Sequence, residues 1–324
     1  MKKLLYLLMV VLIIFLGACN ELPFNLESNE KELSIDEDGL EISRNIHGII
    51  RQDETWRGQI HVVGDIIVER GYTLTIEPGT KITIAAKSDS NNLNTDEFNL
   101  KQGIREPLPG INPDYQGVHP GEPFRDEANH ISIHILGTLH AVGTPDQRII
   151  ITSDSPDPEV WDWNAFTFND GILSFCTLEY YRTLHTRHGI ISNNVLRHVG
   201  ECAVCIGPFD SGKVTVENNM ISFAEHELID IQGGNHIIRN NYLGPNPGIL
   251  CHSGIVIVDG MPEICCNQIY GCKSGIVLIG GTPQIIDNYI IGCDEAFLYL
   301  SFADGFDIED NYLINNRSDI IRNY

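Results

Sequence analysis

One basic stretch stands out in an otherwise acidic chain. It runs Tyr180-Tyr181-Arg182-Thr183-Leu184-His185-Thr186-Arg187-His188 and is followed by Arg197-His198. A cationic side chain beside a groove can neutralise a uronate carboxylate, and an arginine or histidine can take a proton from carbon. The candidate catalytic residues for such an elimination are Arg182, Arg187, His185 and His188. The alternative, which we favour from the sequence, is a solvated turn without catalysis.

Two cysteine patterns could also carry chemistry. Cys251, Cys272 and Cys293 are spaced 21 residues apart, which in a repeat protein would stack them on successive turns. Two arrangements stay open, a column of reduced and buried thiols or one disulfide, and we favour the first. Cys202-Ala203-Val204-Cys205 has CxxC spacing, but no second pair completes a zinc set. A strand would also place its two thiols on opposite faces, so we predict no metal site.

Composition and charge exclude several classes of protein. The chain has 324 residues, of which 42% are apolar and 20% are charged, and this composition excludes disorder of the whole. Its 44 acidic and 21 basic residues give a formal net charge of −23, which excludes a general electrostatic interaction with nucleic acid. No nucleotide, flavin or haem motif is present, so we expect no cofactor, although bound Ca²⁺ stays open.

The first residues indicate targeting to a bacterial envelope. Lys2 and Lys3 precede an unbroken apolar run over residues 4–16, which is short for a membrane span and suits a signal peptide. The run ends in Leu16-Gly17-Ala18-Cys19, which resembles the bacterial lipobox. This predicts a signal peptide over residues 1–18, a lipid-anchored Cys19 and an acidic tether over residues 19–45. We expect the outer membrane or cell surface rather than the inner membrane.

An asparagine recurs through the C-terminal half. It follows an apolar residue by three positions and precedes another by two, at Asn194, Asn219, Asn241, Asn267, Asn288 and Asn311. Successive positions are 21 to 26 residues apart, and the segments between them are short, rich in Val and Ile, and broken by Gly, Asn and Pro. Such a period without helix patterning predicts a β-solenoid. Stacked amides could hydrogen-bond along it at the spacing of neighbouring strands, roughly 4.8 Å.

The repeat resembles the right-handed parallel β-helix proteins of the pectate-lyase-like superfamily, in which an asparagine ladder often marks one turn. Segments such as Gly71-Tyr72-Thr73-Leu74-Thr75-Ile76-Glu77-Pro78-Gly79-Thr80 support the resemblance, which covers roughly residues 55–324. It implies an all-β, single right-handed parallel β-helix over residues 46–324. Residues 87–130 interrupt the period and predict a long inserted loop. The remainder gives roughly nine coils at about 23 residues each.

This fold carries many activities and some inert proteins, so function rests on particular side chains. Enzymes of the superfamily have their groove over the sheet that we assign to the Gly-Ile-Val-Ile runs, and its lyases typically need clustered acids for calcium. Here that sheet offers Asp230 and then Val256, Val277 and Leu298, and we see no aspartate column beside the basic stretch. Because both faces of this sheet are apolar, we expect a loop, the N-terminal segment or a protein partner to cover it.

A column of aromatic residues is the other candidate surface. The residues one past the ladder asparagines should point outward and include Tyr242, Tyr289 and Tyr312. They could bind sugar rings, or they could form a ladder that only stabilises the sheet, which we favour. The sequence therefore predicts an envelope-anchored, non-catalytic binding or structural module for a polysaccharide or a protein partner. The alternative is a polysaccharide lyase or glycoside hydrolase acting on acidic glycan.

Overall fold

The computed structural model describes residues 44–91, 93, 129–207, 212–248, 252–300, 308 and 310–322. Over these ranges the elements are 27 β-strands, and their pairings are parallel. The predicted all-β parallel solenoid is therefore confirmed. Within the described ranges, no helix has the length and apolar character needed to cross a membrane.

The strands form three faces of the solenoid, named sheets A, B and C. Sheet A contains β1 (Arg44–Ile50), β3 (Gln59–Val68), β6 (Ile133–Val142), β8 (Trp163–Ser174), β10 (Tyr181–Thr186), β13 (Val204–Ile206), β16 (Ile229–Ile231), β19 (Ser253–Ile257), β22 (Ser274–Leu278), β25 (Glu295–Tyr299) and β27 (Ser318–Arg322). Sheet B contains β2 (Glu54–Trp56), β4 (Thr73–Ile76), β11 (Gly189–Ser192), β14 (Val214–Glu217), β17 (Ile237–Arg239), β20 (Glu263–Cys265) and β23 (Gln284–Ile286). Sheet C contains β5 (Lys81–Ile84), β7 (Ile149–Ser153), β9 (Cys176–Glu179), β12 (Val195–Val199), β15 (Met220–Ala224), β18 (Tyr242–Leu243), β21 (Gln268–Tyr270), β24 (Tyr289–Ile291) and β26 (Tyr312–Ile314).

Four long strands run around a corner and join two sheets. The N-terminal halves of β1 and β3 belong to sheet C and their C-terminal halves to sheet A, whereas β6 and β8 pass from sheet A into sheet B. Sheet B thus has nine strands in succession, and sheets A and C have eleven each, close to the roughly nine coils predicted.

The ladder asparagines lie at the corner between sheets B and C and are bonded in a continuous chain. In each pair the side-chain Nδ2 donates to the Oδ1 of the next asparagine, at 3.0 Å from Asn219 to Asn241 and 2.9 Å from Asn241 to Asn267. Each Oδ1 also accepts the backbone N–H of the preceding asparagine, and each Nδ2 donates to a backbone carbonyl, as Asn241 does to Val216 at 2.9 Å. The ladder therefore satisfies backbone groups that the corner removes from strand pairing.

Left-handed backbone makes these corners possible. The residues immediately before five of the asparagines have φ between 54° and 59°, and they are Asn193, Asn218, Asn240, Cys266 and Asp287. A second left-handed position follows five residues after four of them, at His198, Phe223, Gly271 and Gly292. The short strands of sheet C are confined between these two bends.

The core lies inside the three sheets and consists of stacked aliphatic side chains. On sheet C the inward column includes Ile221, Leu243, Ile269 and Ile290, all fully buried. Their partners lie directly in register on neighbouring strands, so each row of the core repeats the one before it.

The predicted signal peptide, Cys19 and most of the tether lie outside the described residues, and β1 begins at Arg44, within the predicted tether.

Most of the predicted insertion over residues 87–130 also lies outside the described residues, but both of its ends meet at the buried Asp65. The Oδ2 of Asp65 accepts the Leu93 N–H at 3.1 Å, and its Oδ1 accepts the Ser132 N–H at 2.8 Å. One carboxylate therefore joins the two ends of the insertion to strand β3.

We expect Asn241→Ala to lower the free energy of unfolding by about 3 kcal/mol, because it leaves the Val216 carbonyl and the Asn219 amide buried without partners. Asn311→Ala is the matched control, since Asn311 is only half-buried and water can replace its bonds. Urea unfolding followed by circular dichroism measures both. Equal losses at the two positions would contradict a role for buried, rather than merely stacked, amides.

Candidate functional site

The outward face of sheet A carries a column that changes character along the solenoid. In register, strand by strand, it runs His134, Thr167, His185, Cys205, Asp230, Val256, Val277 and Leu298. The first five side chains are polar or reactive, and the last three are aliphatic. The polar half is the candidate functional site.

An ion pair borders this column at the start of β10. Arg182 Nε donates to Glu201 Oε2 at 2.6 Å, and both side chains are only 18% exposed. The same guanidinium donates to Asn164 Oδ1 at 3.3 Å and lies 5.0 Å from the centre of the Trp161 ring. Arg182 is therefore held on three sides, and an acid that sequence reasoning missed lies directly against it.

The two CxxC cysteines meet, contrary to the expectation that a strand would separate them. Cys202 precedes β13, in the corner between sheets, so the chain bends and the two thiols come into hydrogen-bond contact. Their Sγ atoms and a carboxylate oxygen of Asp230 all lie within 4.8 Å of one another. Glu227 hydrogen-bonds with Cys202 and is also buried. These four residues are referred to below as the thiol–acid cluster.

Burial shapes the ionisation of the thiol–acid cluster. Burial raises the pKa of Asp230 to about 7, although Gln232 donates a hydrogen bond to its Oδ2. Burial and the nearby charge of Asp230 raise the pKa of Glu227. The contact with Cys205, followed by burial, raises the pKa of Cys202, and burial raises the pKa of Cys205. The cluster therefore concentrates groups whose ionisation is disfavoured by burial.

Thr183 connects His185 to the cluster. His185 Nε2 lies 3.2 Å from Thr183 Oγ1, and that hydroxyl lies 3.5 Å from Cys205 Sγ. Burial lowers the pKa of His185 to about 4, so the imidazole is neutral at pH 7 and has the form of a base. His185 and Asp230 nevertheless keep partial solvent exposure, as expected for side chains in a recess of the surface.

The basic stretch predicted as one catalytic set is divided by the structure. Arg182 and His185 lie at the site, whereas Arg187 and His188 lie in the turn between β10 and β11. His188 Nδ1 lies 2.8 Å from Asp170 Oδ1 and is exposed. Burial, together with the charge of Arg70, lowers the pKa of Arg187. Farther away on sheet C, Arg197 pairs with Glu179 at 2.6 Å.

The aliphatic half of the column is buried although it points outward. Val256, Val277, Ile279 and Leu298 form a cluster separate from the main core, with Val258, Leu300 and Ile321 packed against it. Val277 has no exposed surface. The outward face for which a covering loop, the N-terminal segment or a protein partner was predicted is thus buried at these residues, and which of the three covers it stays a prediction.

The three predicted tyrosines line the outward face of sheet C. Tyr242, Gln268, Tyr289 and Tyr312 pair in register on successive strands. Tyr242, Tyr289 and Tyr312 are 40%, 41% and 50% exposed. Tyr289 and Tyr312 stack with ring centres 4.5 Å apart, and Tyr270 packs against Tyr242 at 4.6 Å. The rings therefore form a ladder while keeping much of their surface in solvent.

The predicted cysteine column is described only in part, because Cys251 lies outside the described residues. Cys272 and Cys293 are buried free thiols in hydrogen-bond contact with each other. Their contact raises the pKa of Cys272 and lowers that of Cys293. The favoured prediction of a reduced thiol column and its alternative of one disulfide both stay predictions.

Glu201 and Glu227 are the site residues that sequence reasoning did not find. Each precedes a sheet-A strand by a few residues, in a turn where neither a strand alternation nor a motif places it. In the folded chain the Ala203 N–H donates a hydrogen bond to the Glu227 carbonyl, and this bond brings the turns that carry Glu201 and Glu227 together.

Comparison with known families found one match to this chain. Residues 183–323 match the family model described as a right handed beta helix region. The match and the parallel coils together identify the fold as a right-handed parallel β-helix, as predicted. Comparisons with curated proteins and with solved structures each gave no match.

His134, at the head of the column, gives a pH prediction. It is buried with Nδ1 2.7 Å from Thr167 Oγ1, and burial lowers its pKa to about 4. In the unfolded chain the pKa of a histidine is about 6.5. Between pH 4 and 6.5 the unfolded chain therefore binds a proton at His134 that the folded chain does not bind. Because of His134, the free energy of unfolding therefore decreases by about 3 kcal/mol as the pH falls from 6.5 to 4.

We expect His134→Gln to remove that contribution, which urea unfolding at a series of pH values would measure. His188→Gln, on the exposed turn, is the matched surface control. An unchanged slope of stability against pH in His134→Gln would show that the buried imidazole is not responsible.

Proposed function

We propose that this right-handed parallel β-helix is an envelope-anchored, non-catalytic module that binds a neutral polysaccharide along the tyrosine column of sheet C. The observation that carries the proposal is the exposure of Tyr242, Tyr289 and Tyr312 in one outward line. Large, rigid rings with a hydroxyl tip provide apolar contact area and hydrogen bonds together, which suits the mixed surface of a sugar. Sheet A offers no comparable open surface among its described strands, because its aliphatic column is buried.

Charge supports a neutral rather than an acidic ligand. The formal net charge of −23 creates a negative potential that repels a polyanionic glycan. Arginines of sheets C and B do not reverse this, since Arg197 pairs with Glu179 at 2.6 Å and Arg239 pairs with Glu217 at 2.7 Å. A neutral chain meets no such repulsion.

The anchor part of the proposal rests on the sequence. Lys2 and Lys3, the apolar run and Leu16-Gly17-Ala18-Cys19 support cleavage before Cys19 and its lipidation. Acyl chains on Cys19 would hold the protein at the membrane. Residues 20–43 carry eight acidic side chains against Lys31, which supports an extended tether between lipid and β-helix.

The tyrosines can be tested directly with the Cys19→Ser chain and a panel of neutral and acidic polysaccharides, using calorimetry and affinity electrophoresis. We expect binding to a neutral polysaccharide, weakened at least tenfold by the double substitution Tyr289→Ala and Tyr312→Ala, because each lost ring removes about 1 kcal/mol of contact. Tyr289→Phe with Tyr312→Phe is the matched control, which keeps the rings and tests the hydroxyls alone.

Three results would count against the proposal. They are preference for acidic glycans, binding that the alanine pair leaves intact, and binding to none of the panel. Circular dichroism of the alanine pair separates loss of the surface from loss of the fold.

A second candidate function, that of a polysaccharide lyase, is favoured by one observation on sheet A. Arg182 lies against Glu201, and the neutral His185 lies in the same recess, so basic and acidic groups converge where sequence reasoning saw only basic ones. Arg182 could hold a uronate carboxylate while His185 takes the proton from carbon, which is lyase chemistry. Because Arg182 is already bound to Glu201, Asn164 and Trp161, we place this function second.

The test of the lyase is incubation with acidic polysaccharides, with and without Ca²⁺, followed by absorbance of unsaturated uronates and by reducing ends. On the first proposal neither signal appears. Product formation that is lost in His185→Gln and retained in His188→Gln would make the protein an enzyme and overturn that proposal.

A further inference from the structure

The thiol–acid cluster places three potential metal ligands close together. Cys205 and Asp230 lie in register on neighbouring strands, and the corner before β13 brings Cys202 to the same place. Two sulfur atoms and a carboxylate oxygen thus lie within 4.8 Å of one another. Ligand atoms around a tetrahedral zinc ion are separated by roughly 3.5 Å, given Zn–S near 2.3 Å and Zn–O near 2.1 Å. A small inward movement of three side chains would complete such a set.

A second observation points to a missing partner. Asp230 Oδ1 is buried from solvent and accepts no hydrogen bond from the described part of the chain, whereas its Oδ2 accepts one from Gln232. A buried carboxylate oxygen without a partner costs about 1–3 kcal/mol, and polar groups of this kind are otherwise almost always satisfied. A cation between Asp230 and the two thiols would satisfy it.

Two further residues border the sulfur atoms of the cluster. The Glu227 carboxyl hydrogen-bonds with Cys202, and Thr183 Oγ1 lies 3.5 Å from Cys205 Sγ. Cys202, Cys205 and Glu227 are each nearly inaccessible to solvent, which limits exchange of a bound ion with water. Two thiolates with carboxylate oxygens suit a borderline-soft cation, and zinc is the divalent ion that this donor set favours.

We propose that Cys202, Cys205 and Asp230, with Glu227 as fourth ligand, bind one Zn²⁺ ion on the outer face of sheet A. The ion would join the corner before β13 to β16, across two successive coils. The inference is independent of glycan binding, because the cluster lies on sheet A and the tyrosine column on sheet C.

The experiment uses the full chain, purified under reducing conditions, stripped with a chelator and titrated with Zn²⁺ and with Co²⁺ as a spectroscopic substitute. We expect one equivalent of Co²⁺ to give a thiolate-to-metal charge-transfer band and the visible bands of tetrahedral cobalt, and Zn²⁺ to displace it. Cys205→Ser should abolish the charge-transfer band or weaken binding at least tenfold, and Asp230→Asn should weaken it similarly. Cys265→Ser, a buried thiol outside the cluster, is the matched control and should bind as the unsubstituted chain does.

Several results would overturn the site. They are the absence of a thiolate charge-transfer band in the unsubstituted chain, equal metal binding by Cys205→Ser, and a Cys202–Cys205 disulfide that persists with no metal in the chain as isolated. If Cys205→Ser does not fold, the spectrum of the unsubstituted chain and the Asp230→Asn titration decide between these outcomes.

Discussion

Coil-on-coil register is the constraint on which this structure depends. Each strand forms parallel hydrogen bonds with the strand one coil before and one coil after it, so every side chain lies over a counterpart at a fixed offset. The asparagine ladder holds this register at one corner, because its amides bond both to each other and to the backbone. A slip of one residue would break the ladder and exchange the inward and outward columns together.

Because register is fixed, the chemistry of the surface is arranged in columns. On sheet A one column passes from His185 through Cys205 and Asp230 to Val256 over four successive strands. The polar half lies in a recess where burial lowers the pKa of His185 and raises that of Asp230. The aliphatic half is buried and packs as a small second core. Reactive groups are thereby concentrated at one place along an otherwise repetitive rod.

Sheet C presents a different surface from the same repeat. Its strands are confined between two left-handed bends, which leaves few outward positions per coil. Tyr289 and Tyr312 stack at the spacing of the coils, and each residue still keeps two fifths or more of its surface exposed. A ladder that stabilises the sheet and a surface that binds a ligand are therefore compatible, since stacking uses only part of each ring.

The sequence by itself determined the solenoid. A period of 21 to 26 residues, Val- and Ile-rich segments and a recurring asparagine are local patterns, and they identified both the parallel coils and the outward tyrosines. What only the tertiary structure decided was which turns meet. From Thr167 to His185 the offset is 18 residues, from His185 to Cys205 it is 20, and from Cys205 to Asp230 it is 25.

Such variable turn lengths conceal the alignment of Glu201, Glu227 and Cys202, because residues in turns follow no strand alternation. The corner before β13 likewise bends the CxxC segment, so two thiols assigned to opposite faces of a strand come into contact. Regular strands can be read from local pattern, whereas the site is formed by irregular turns whose positions are fixed only by strand pairing across coils.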